Sequence, residues 1–282
     1  MSADRYAVIG HPVAHSRSPF IHERFARQTG QNMTYGRLDA APAQFESAAL
    51  RFFADGGKGV NVTLPHKQSA AVLAAELTPR AAVAGAVNTL TVLPDGRLQG
   101  DNTDGTGLAR DLLNNLGVAI AGRRVLLLGA GGAARGVLAP LLGLRPAELL
   151  IANRTADRAR ELAAAFQKLG DCRGVGFREI PPTPCDLIIN ATSASLTGDV
   201  PPLPAGVVGM RSFCYDMAYG REDTSFIRWA QSQGCSRSAM GLGMLVEQAA
   251  ESFYIWRALR PDTASVVAAL KAELSVPPSA VP

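Results

Sequence analysis

The sequence predicts an α/β protein of two domains, and three observations predict it. At 282 residues the chain is about twice a usual single-domain length. Its first hundred residues alternate short β-like runs with helical stretches, and the apolar run from Arg124 to Gly129 opens a βαβ unit. Near the end, Leu242, Leu245, Val246, Ala249, Phe253 and Trp256 recur at the i, i+3, i+4, i+7 spacing of an amphipathic helix. The expected division is an N-terminal α/β domain over residues 1–104, a second domain over 105–239, C-terminal helices over 240–274 that return to cover the first domain's sheet, and a Pro/Ser tail over 275–282. A ligand cleft is then expected between the domains.

Taken in order, Tyr6 to Gly10 and Gly59 to Val62 read as strands, and Pro19 to Gln28, Gln44 to Ala54 and Ser69 to Ala75 as helices. Thr89 to Leu93 and Arg97 to Gly100 flank Asp95-Gly96, the signature of a hairpin turn. A helical stretch runs from Thr106 to Leu116, and Glu148 to Ala152 is the second strand of the βαβ unit.

Composition excludes several classes. Hydrophobic residues make up 47% and charged residues 18% of the chain, which rules out intrinsic disorder. Four cysteines without C-x-x-C spacing fit neither a disulfide scaffold nor a zinc site. No 18-residue apolar run suggests a membrane span, and the residues before Ser16 lack a signal peptide's hydrophobic core. A cytoplasmic protein is therefore expected. The net charge is +4, and it resides in residues 105–239, where 15 basic side chains outnumber 11 acidic ones. The excess is spread thinly and lacks interleaved aromatics, so a small anionic ligand fits better than nucleic acid.

The strand Val125 to Leu128 leads into Gly129-Ala130-Gly131-Gly132-Ala133-Ala134, and a helix can follow from Arg135 to Leu142. In that strand–loop–helix context G-x-G-x-x-A reads as a dinucleotide loop of the Rossmann type, with a purely structural turn as the alternative. Gly129 serves the turn, Gly131 the approach of a pyrophosphate, and Ala134 close helix packing. The next strand ends in Asn153-Arg154-Thr155, followed by Arg158. An NAD site usually presents a carboxylate there for the ribose 2′-hydroxyl; a guanidinium instead suits a 2′-phosphate, which points to NADP.

Only four of the 28 basic residues are lysines, namely Lys58, Lys67, Lys168 and Lys271. Lys67 closes Asn61-Val-Thr-Leu-Pro-His-Lys67, where a strand gives way to a proline turn, and an amine can carry a proton as a guanidinium cannot. Solvation at the surface is the alternative reading of this lysine. Asp104, in Asp101-Asn-Thr-Asp104-Gly105, is a candidate partner for it; a calcium loop is a poor fit, since Leu112 stands where a bidentate Glu is needed. His11, His15, His22 and His66 read as turn or surface residues, and the proline turn denies His11 and His15 the helical geometry of a metal pair. No metal site is expected.

Nine motifs occur in order from about residue 6 to 270: Gly10-His-Pro-Val-Ala-His-Ser16-Arg-Ser18-Pro19, Asn61 to Lys67, Gly85-Ala-Val-Asn88-Thr89, Gly100 to Gly105, Gly129 to Ala133, Asn153-Arg-Thr155, Asn190-Ala-Thr-Ser193, Tyr215-Asp-Met217 and Gly241-Leu-Gly-Met-Leu-Val-Glu-Gln248. Together they resemble the shikimate dehydrogenase family. The resemblance implies NADPH-dependent reduction of 3-dehydroshikimate to shikimate, on the route to chorismate and the aromatic amino acids. Carried over by motif, Ser16, Ser18, Thr63, Asn88, Tyr219 and Gln248 would hold the substrate's hydroxyls and carboxylate, and Asn61 would line the same pocket. Lys67 and Asp104 would form the catalytic pair, also in contact with substrate. Gly129, Ala130, Gly131, Gly132, Ala133, Asn153, Arg154, Thr155 and Arg158 would bind NADP, with Met217 and Gly241 beside the nicotinamide.

Three residues depart from the commonest pattern: His66 in place of Phe, Ser195 in place of Gly, and Met240 in place of Asp. A broader shikimate/quinate dehydrogenase and a catalytically silent NADP-binding regulator are the rival readings; Arg154 and the paired serines Ser16 and Ser18 argue against the first, and Lys67 with Asp104 against the second. The expected partners are small molecules, in a monomer or homodimer, with neither nucleic acid nor membrane.

Overall fold

The computed structural model describes residues 2–275. The chain packs as two compact units, Met1–Gly107 with Val246–Val266, and Leu108–Leu245 with the chain from Val267 onward. The first is built on strands β1 (Asp4–Gly10), β2 (Met33–Asp39), β3 (Gly57–Val62), β4 (Glu76–Leu77), β5 (Thr89–Val92) and β6 (Leu98–Asp101). They form one sheet in the order β2-β1-β3-β5-β6-β4. β1 is parallel to β2 and β3, while β5 runs antiparallel to both β3 and β6. The hairpin turn lies where Asp95-Gly96 predicts it, with Gly96 at φ 83°.

β2 is absent from the sequence reading. As an edge strand it pairs only with β1, Tyr6 opposite Tyr35, and its run MTYGRLD carries too few apolar residues to show a period of two.

The helices of this unit are α1 (Ser18–Thr29), α2 (Phe45–Ala54), α3 (Lys67–Leu73), α4 (Pro79–Ala84) and α5 (Asp104–Arg110). Local chemistry sets their ends. Pro19 occupies the first turn of α1, and Gly30 closes it at φ 65°. Thr78 caps α4 by accepting the Ala81 N–H through its side chain. The helix expected from Thr106 to Leu116 instead starts at Asp104 and opens at Asp111 into a wider π-type turn through Asn115. There the buried Asp111 carboxylate accepts hydrogen bonds from Tyr215 Oη at 2.7 Å and Asn115 Nδ2 at 2.9 Å. One side of the sheet is sealed by Ile9, Phe45, Ala49, Val60, Val62 and Leu90.

The second unit holds β7 (Arg124–Leu128), α6 (Gly132–Gly143), β8 (Glu148–Asn153), α7 (Ala156–Phe166), β9 (Cys172–Gly176), β10 (Cys185–Asn190), β11 (Val208–Asp216), α8 (Ser225–Ser232) and β12 (Arg237–Met240). Its sheet is parallel throughout, in the order β12-β11-β10-β7-β8-β9. Val125 and Leu127 face a core with α6 and α7, whereas Leu126 and Leu128 face one with α8. That two-sided burial is why β7 reads as an unbroken apolar run. Strand order reverses between β7 and β10, so the loop after β7 opens at the switch point where doubly wound sheets take ligands. The chain closes with α9 (Leu242–Arg257) and α10 (Ala264–Ser275). Val246, Ala249 and Phe253 of α9 are fully buried, as their spacing predicts.

Candidate active site

In the first unit, β3 ends at Val62 and α3 starts at Lys67, so Asn61, Thr63 and Lys67 lie around one strand end. Thr63 is anchored by its N–H to the Ile9 carbonyl at 2.9 Å. The neighbouring loop between β1 and α1 carries Ser16 and Ser18, whose hydroxyls are 3.2 Å apart. Two side chains of β2 hold this loop. Arg37 donates to the Ser16 carbonyl through Nε at 3.2 Å and Nη2 at 2.7 Å, and Asp39 takes His11 Nδ1 at 2.6 Å and the Val13 N–H at 3.3 Å.

Lys67 Nζ donates to Asp104 Oδ2 at 2.5 Å, with the two side chains only 16% and 7% exposed. The carboxylate is fixed from its other side by Asn88 Nδ2 on Oδ1 at 2.9 Å. Asn88 is itself fully engaged: its carbonyl oxygen accepts the Thr103 N–H at 2.9 Å, and its amide also reaches Gln248 Oε1 at 3.3 Å. Gln248 comes so close because of Gly107, where a Cβ would stand 2.8 Å from the Gln248 backbone nitrogen. Seven of the predicted substrate residues, Ser16, Ser18, Asn61, Thr63, Lys67, Asn88 and Asp104, thus belong to the first unit, and Gln248 joins them on α9. Tyr219 follows β11 in the second unit.

The loop carrying Asp104 is pinned from below. Arg80 grips Asp101 through Nε at 2.6 Å and Nη2 at 2.8 Å and reaches Glu251 at 3.1 Å. Burial works against the charge on Asp101, yet Arg80 and Thr78 outweigh it and hold the carboxyl below its ordinary value. Glu251 is lowered in the same way, with Arg80 and Arg260 overcoming its burial.

Several residues of this region were not legible as site residues. Ser252 is fully buried and receives Asn61 Nδ2 at 2.9 Å; it stands four residues after Gln248 on one helix face, a spacing that would have flagged it. Thr89 and Tyr35 also hydrogen-bond Asn61, at 3.2 and 2.7 Å. Two histidines need correction. His22 lies within α1 and is 0% exposed, and His66, in the turn before α3 as expected, is 1% exposed, so neither is a surface residue. His66 bonds the Ala40 carbonyl at 2.7 Å through Nε2 and stacks on Phe45, so the imidazole fills a Phe-sized position. His22 stacks on Tyr35, 4.1 Å between ring centres and 4° from parallel.

In the second unit, Gly129 adopts φ 107°, where a side chain would be strained and would press on the Ala191 carbonyl. Gly131 caps α6, and no atom lies within 4 Å of where its Cβ would be, so the backbone there is open to a ligand. Gly132 and Ala133 form the first turn of α6, whose leading N–H groups have no intrahelical partner and suit a pyrophosphate. Ala130 is partly buried, and Ala134 is fully buried against the core.

Asn153 ends β8, with its Nδ2 on the Thr155 carbonyl at 3.0 Å, and Thr155 occupies the N-cap of α7. Arg154 and Arg158 are exposed, and among the described residues neither makes an ion pair. Arg160, one turn on, is by contrast tied to Asp157 and Glu179 at 2.9 Å each. Two uncommitted guanidinium groups beside the glycine loop fit a 2′-phosphate.

Met217 donates its N–H to the Asn190 carbonyl at 2.9 Å, and Gly241 packs so tightly that its Cβ would lie 2.3 Å from the Met217 carbonyl. Two of the unusual residues find local roles here. Ser195 donates to the buried Asp216 carboxylate at 2.6 Å, alongside Thr224 at 2.6 Å and Asn190 at 3.2 Å. Met240 packs its side chain on the α8-side core.

Open helix start and free guanidinium groups suit a phosphorylated dinucleotide, and a proton-carrying lysine among amides and hydroxyls suits the alcohol–ketone chemistry such a cofactor serves. The class is a pyridine-nucleotide oxidoreductase. Three families match along the chain: the shikimate dehydrogenase substrate binding domain over residues 8–90, shikimate / quinate 5-dehydrogenase over 108–197, and the shikimate 5'-dehydrogenase C-terminal domain over 241–271. A shikimate dehydrogenase (NADP(+)) of Saccharophagus degradans is 53% identical over 274 residues, covering 95% of this chain and 99% of the relative. Among solved structures, an Ael1 enzyme from Pseudomonas putida superposes with a TM-score of 0.88 at 46% identity, over 98% of this chain and 99% of that one. Shikimate 5-dehydrogenase from Thermus thermophilus, in complex with NADP(H) and shikimate, gives 0.83 at 33% identity, over 95% and 99%. The chain belongs to the shikimate dehydrogenase family.

Proposed function

We propose that this protein catalyses the reversible, NADPH-dependent reduction of 3-dehydroshikimate to shikimate, toward chorismate and the aromatic amino acids. The observation that carries the proposal is the Lys67–Asp104 pair at 2.5 Å, held by the amide of Asn88, which in turn reaches Gln248 and the hydroxyl of Thr103. When bound, NADP supplies or accepts the hydride. In reduction the Lys67 ammonium donates a proton to the oxygen that was the ketone, and in oxidation the neutral amine takes it back. Asp104 aims the amine, and Asn88 holds Asp104. Ser16, Ser18, Asn61, Thr63, Asn88, Tyr219 and Gln248 bind the ring's hydroxyls and carboxylate; short polar groups of this kind reject analogues that leave them unpaired. Gly129 to Ala133 receive the pyrophosphate, Asn153, Arg154, Thr155 and Arg158 the 2′-phosphate, and Met217 with Gly241 the nicotinamide.

Four buried, free cysteines fit a reducing cytoplasm, and among the described residues no helix is long and apolar enough to cross a membrane. Monomer and homodimer both remain compatible with this chemistry. The test is direct: NADPH oxidation with 3-dehydroshikimate, and NADP and NAD reduction with shikimate and quinate separately. Shikimate should be strongly preferred over quinate in kcat/KM, since quinate's extra hydroxyl needs a partner at the carboxylate-bearing carbon. Equal values for the two would favour the broader shikimate/quinate reading; cofactor binding without turnover would favour a silent regulator.

A further inference from the structure

Arg80 lies on α4, outside every motif that the family resemblance rests on, yet three segments that carry the site's polar groups meet at its guanidinium. Nε and Nη2 take the two oxygens of Asp101 at 2.6 and 2.8 Å, and Nη1 donates to Thr106 Oγ1 on α5 and to Glu251 Oε1 on α9, each at 3.1 Å. From Asp101 two routes lead to Asp104. Along the first, Asp101 Oδ1 accepts the Asn102 N–H at 2.6 Å, and Asn102 Oδ1 accepts the Asp104 N–H at 3.1 Å. The Ala86 carbonyl, which can only accept, takes Asn102 Nδ2 at 2.9 Å and so fixes which end of that amide faces Asp104. Along the second, the Asp101 carbonyl accepts the Asn88 N–H at 3.0 Å, and Asn88 Nδ2 holds Asp104 Oδ1 at 2.9 Å. The backbone and the carboxylate of Asp104 are thus both set from Asp101, which is set in turn by Arg80 and by Thr78 Oγ1 at 2.7 Å. Glu251 braces the arrangement from α9: it also accepts from Arg260, and it stands three residues after Gln248, whose Oε1 receives Asn88. Asp101 and Glu251 are both buried, so one guanidinium neutralises two carboxylates that would otherwise repel each other under the site.

We propose that Arg80 is a positioning residue for proton transfer, whose planar fork holds the Asp101 to Asp104 segment so that the Asp104 carboxylate stays on the Lys67 amine. An ammonium is a single point of charge and cannot reach Asp101 side-on while spanning to Thr106 and Glu251, so charge alone is not enough at this position. The inference rests on the proposed proton role of Lys67. It goes beyond that role by carrying the catalytic requirement to a side chain that touches the pair only through Asp101, Asn102 and Asn88.

The test is steady-state kinetics of NADPH oxidation with 3-dehydroshikimate for Arg80→Met, Arg80→Lys and Lys67→Met, and for each Arg80 variant combined with Lys67→Met, at a temperature where circular dichroism shows every protein folded. Misplacing a reacting group by about 1 Å costs up to roughly 100-fold, so Arg80→Met should lower kcat about 10- to 50-fold while the NADPH KM stays within about two-fold of wild type. Arg80→Lys should recover only part of that loss. Over Lys67→Met the same Arg80 substitutions should change kcat by less than about three-fold, since the amine that Asp104 aims is gone. A merely structural role would lower kcat by equal factors in both backgrounds, and that result overturns the proposal. So does a wild-type kcat in Arg80→Met or Arg80→Lys, or a loss confined to KM. Should Arg80→Met not fold, Arg80→Lys decides in its place: a several-fold loss of kcat that vanishes over Lys67→Met supports the positioning role, and a loss that persists there overturns it. If Lys67→Met itself keeps kcat, the proton-transfer reading is what fails, and the inference falls with it.

Discussion

Replacing Lys67 by Met removes the amine but keeps most of the stem, and the structure says what each part of the loss should be. General acid–base catalysis by one residue is worth about 10²- to 10⁴-fold, or roughly 3–5.5 kcal/mol of barrier. Steady-state rates of NADPH oxidation with 3-dehydroshikimate should fall by that factor in kcat, with the substrate KM changed far less. Stability should fall too. Lys67 and Asp104 are both largely buried, and breaking such a pair costs up to about 3–5 kcal/mol by leaving a carboxylate without its cation. The Asp104 carboxylate keeps Asn88 at 2.9 Å, so the loss should lie at the low end and the protein should still fold. Asp104→Asn removes the charge from the opposite side and should also lower kcat by loosening the aim of the amine. The double variant should lose less in kcat than the product of the single losses, and it should recover part of the lost thermal stability, since neither partner is then charged and alone. A Lys67→Met enzyme that retains kcat and shows only a raised substrate KM refutes the proton-transfer role, and the lysine is then a binding residue.

Arg154→Ala should weaken NADPH about 10- to 100-fold while leaving NADH binding and kcat at saturating cofactor nearly unchanged, as loss of a charge-assisted phosphate contact does. Because Arg154 makes no ion pair among the described residues, Tm should not move; equal losses for both cofactors, by direct titration, would remove the residue from the 2′-phosphate site. His22 gives a pH prediction: burial pushes its pKa down to about 3 from 6.5, a cost the Asn61 amide only partly offsets. The unfolded chain therefore binds a proton first, and stability that is full above pH 6.5 is lost as pH falls toward 3, by about 2 kcal/mol already at pH 5. His22→Phe keeps the ring among Phe25, Tyr35, Phe253 and Trp256 and removes the buried imidazole, so thermal melts from pH 7 to 5 should show a smaller decline than wild type; parallel declines would show that His22 is not what titrates.

What could be read in advance depended on whether the deciding contact was local. The glycine loop, the hairpin at Asp95-Gly96 and the apolar β7 are specified by residues within one strand–turn–helix span, and each stands in the structure where the sequence points. β2 fails this condition, because an edge strand with one hydrogen-bonded neighbour gains its register from β1 and keeps little hydrophobic pattern of its own. The buried histidines fail it for another reason. Nothing within several residues of His22 or His66 announces that Tyr35 and Phe45, brought by β2 and α2, will stack on them. The same limit governs the candidate site: Lys67 and Asp104 could be suggested singly from residue chemistry, and Asn88 and Gln248 by their motifs, but Ser252 and Tyr35, which hydrogen-bond Asn61, come from a late helix and an edge strand. A helix face would have paired Ser252 with Gln248 at i+4, whereas Tyr35 had no such periodic signal to carry it. Local motifs therefore name the groups that do chemistry, while long-range packing supplies residues that orient them.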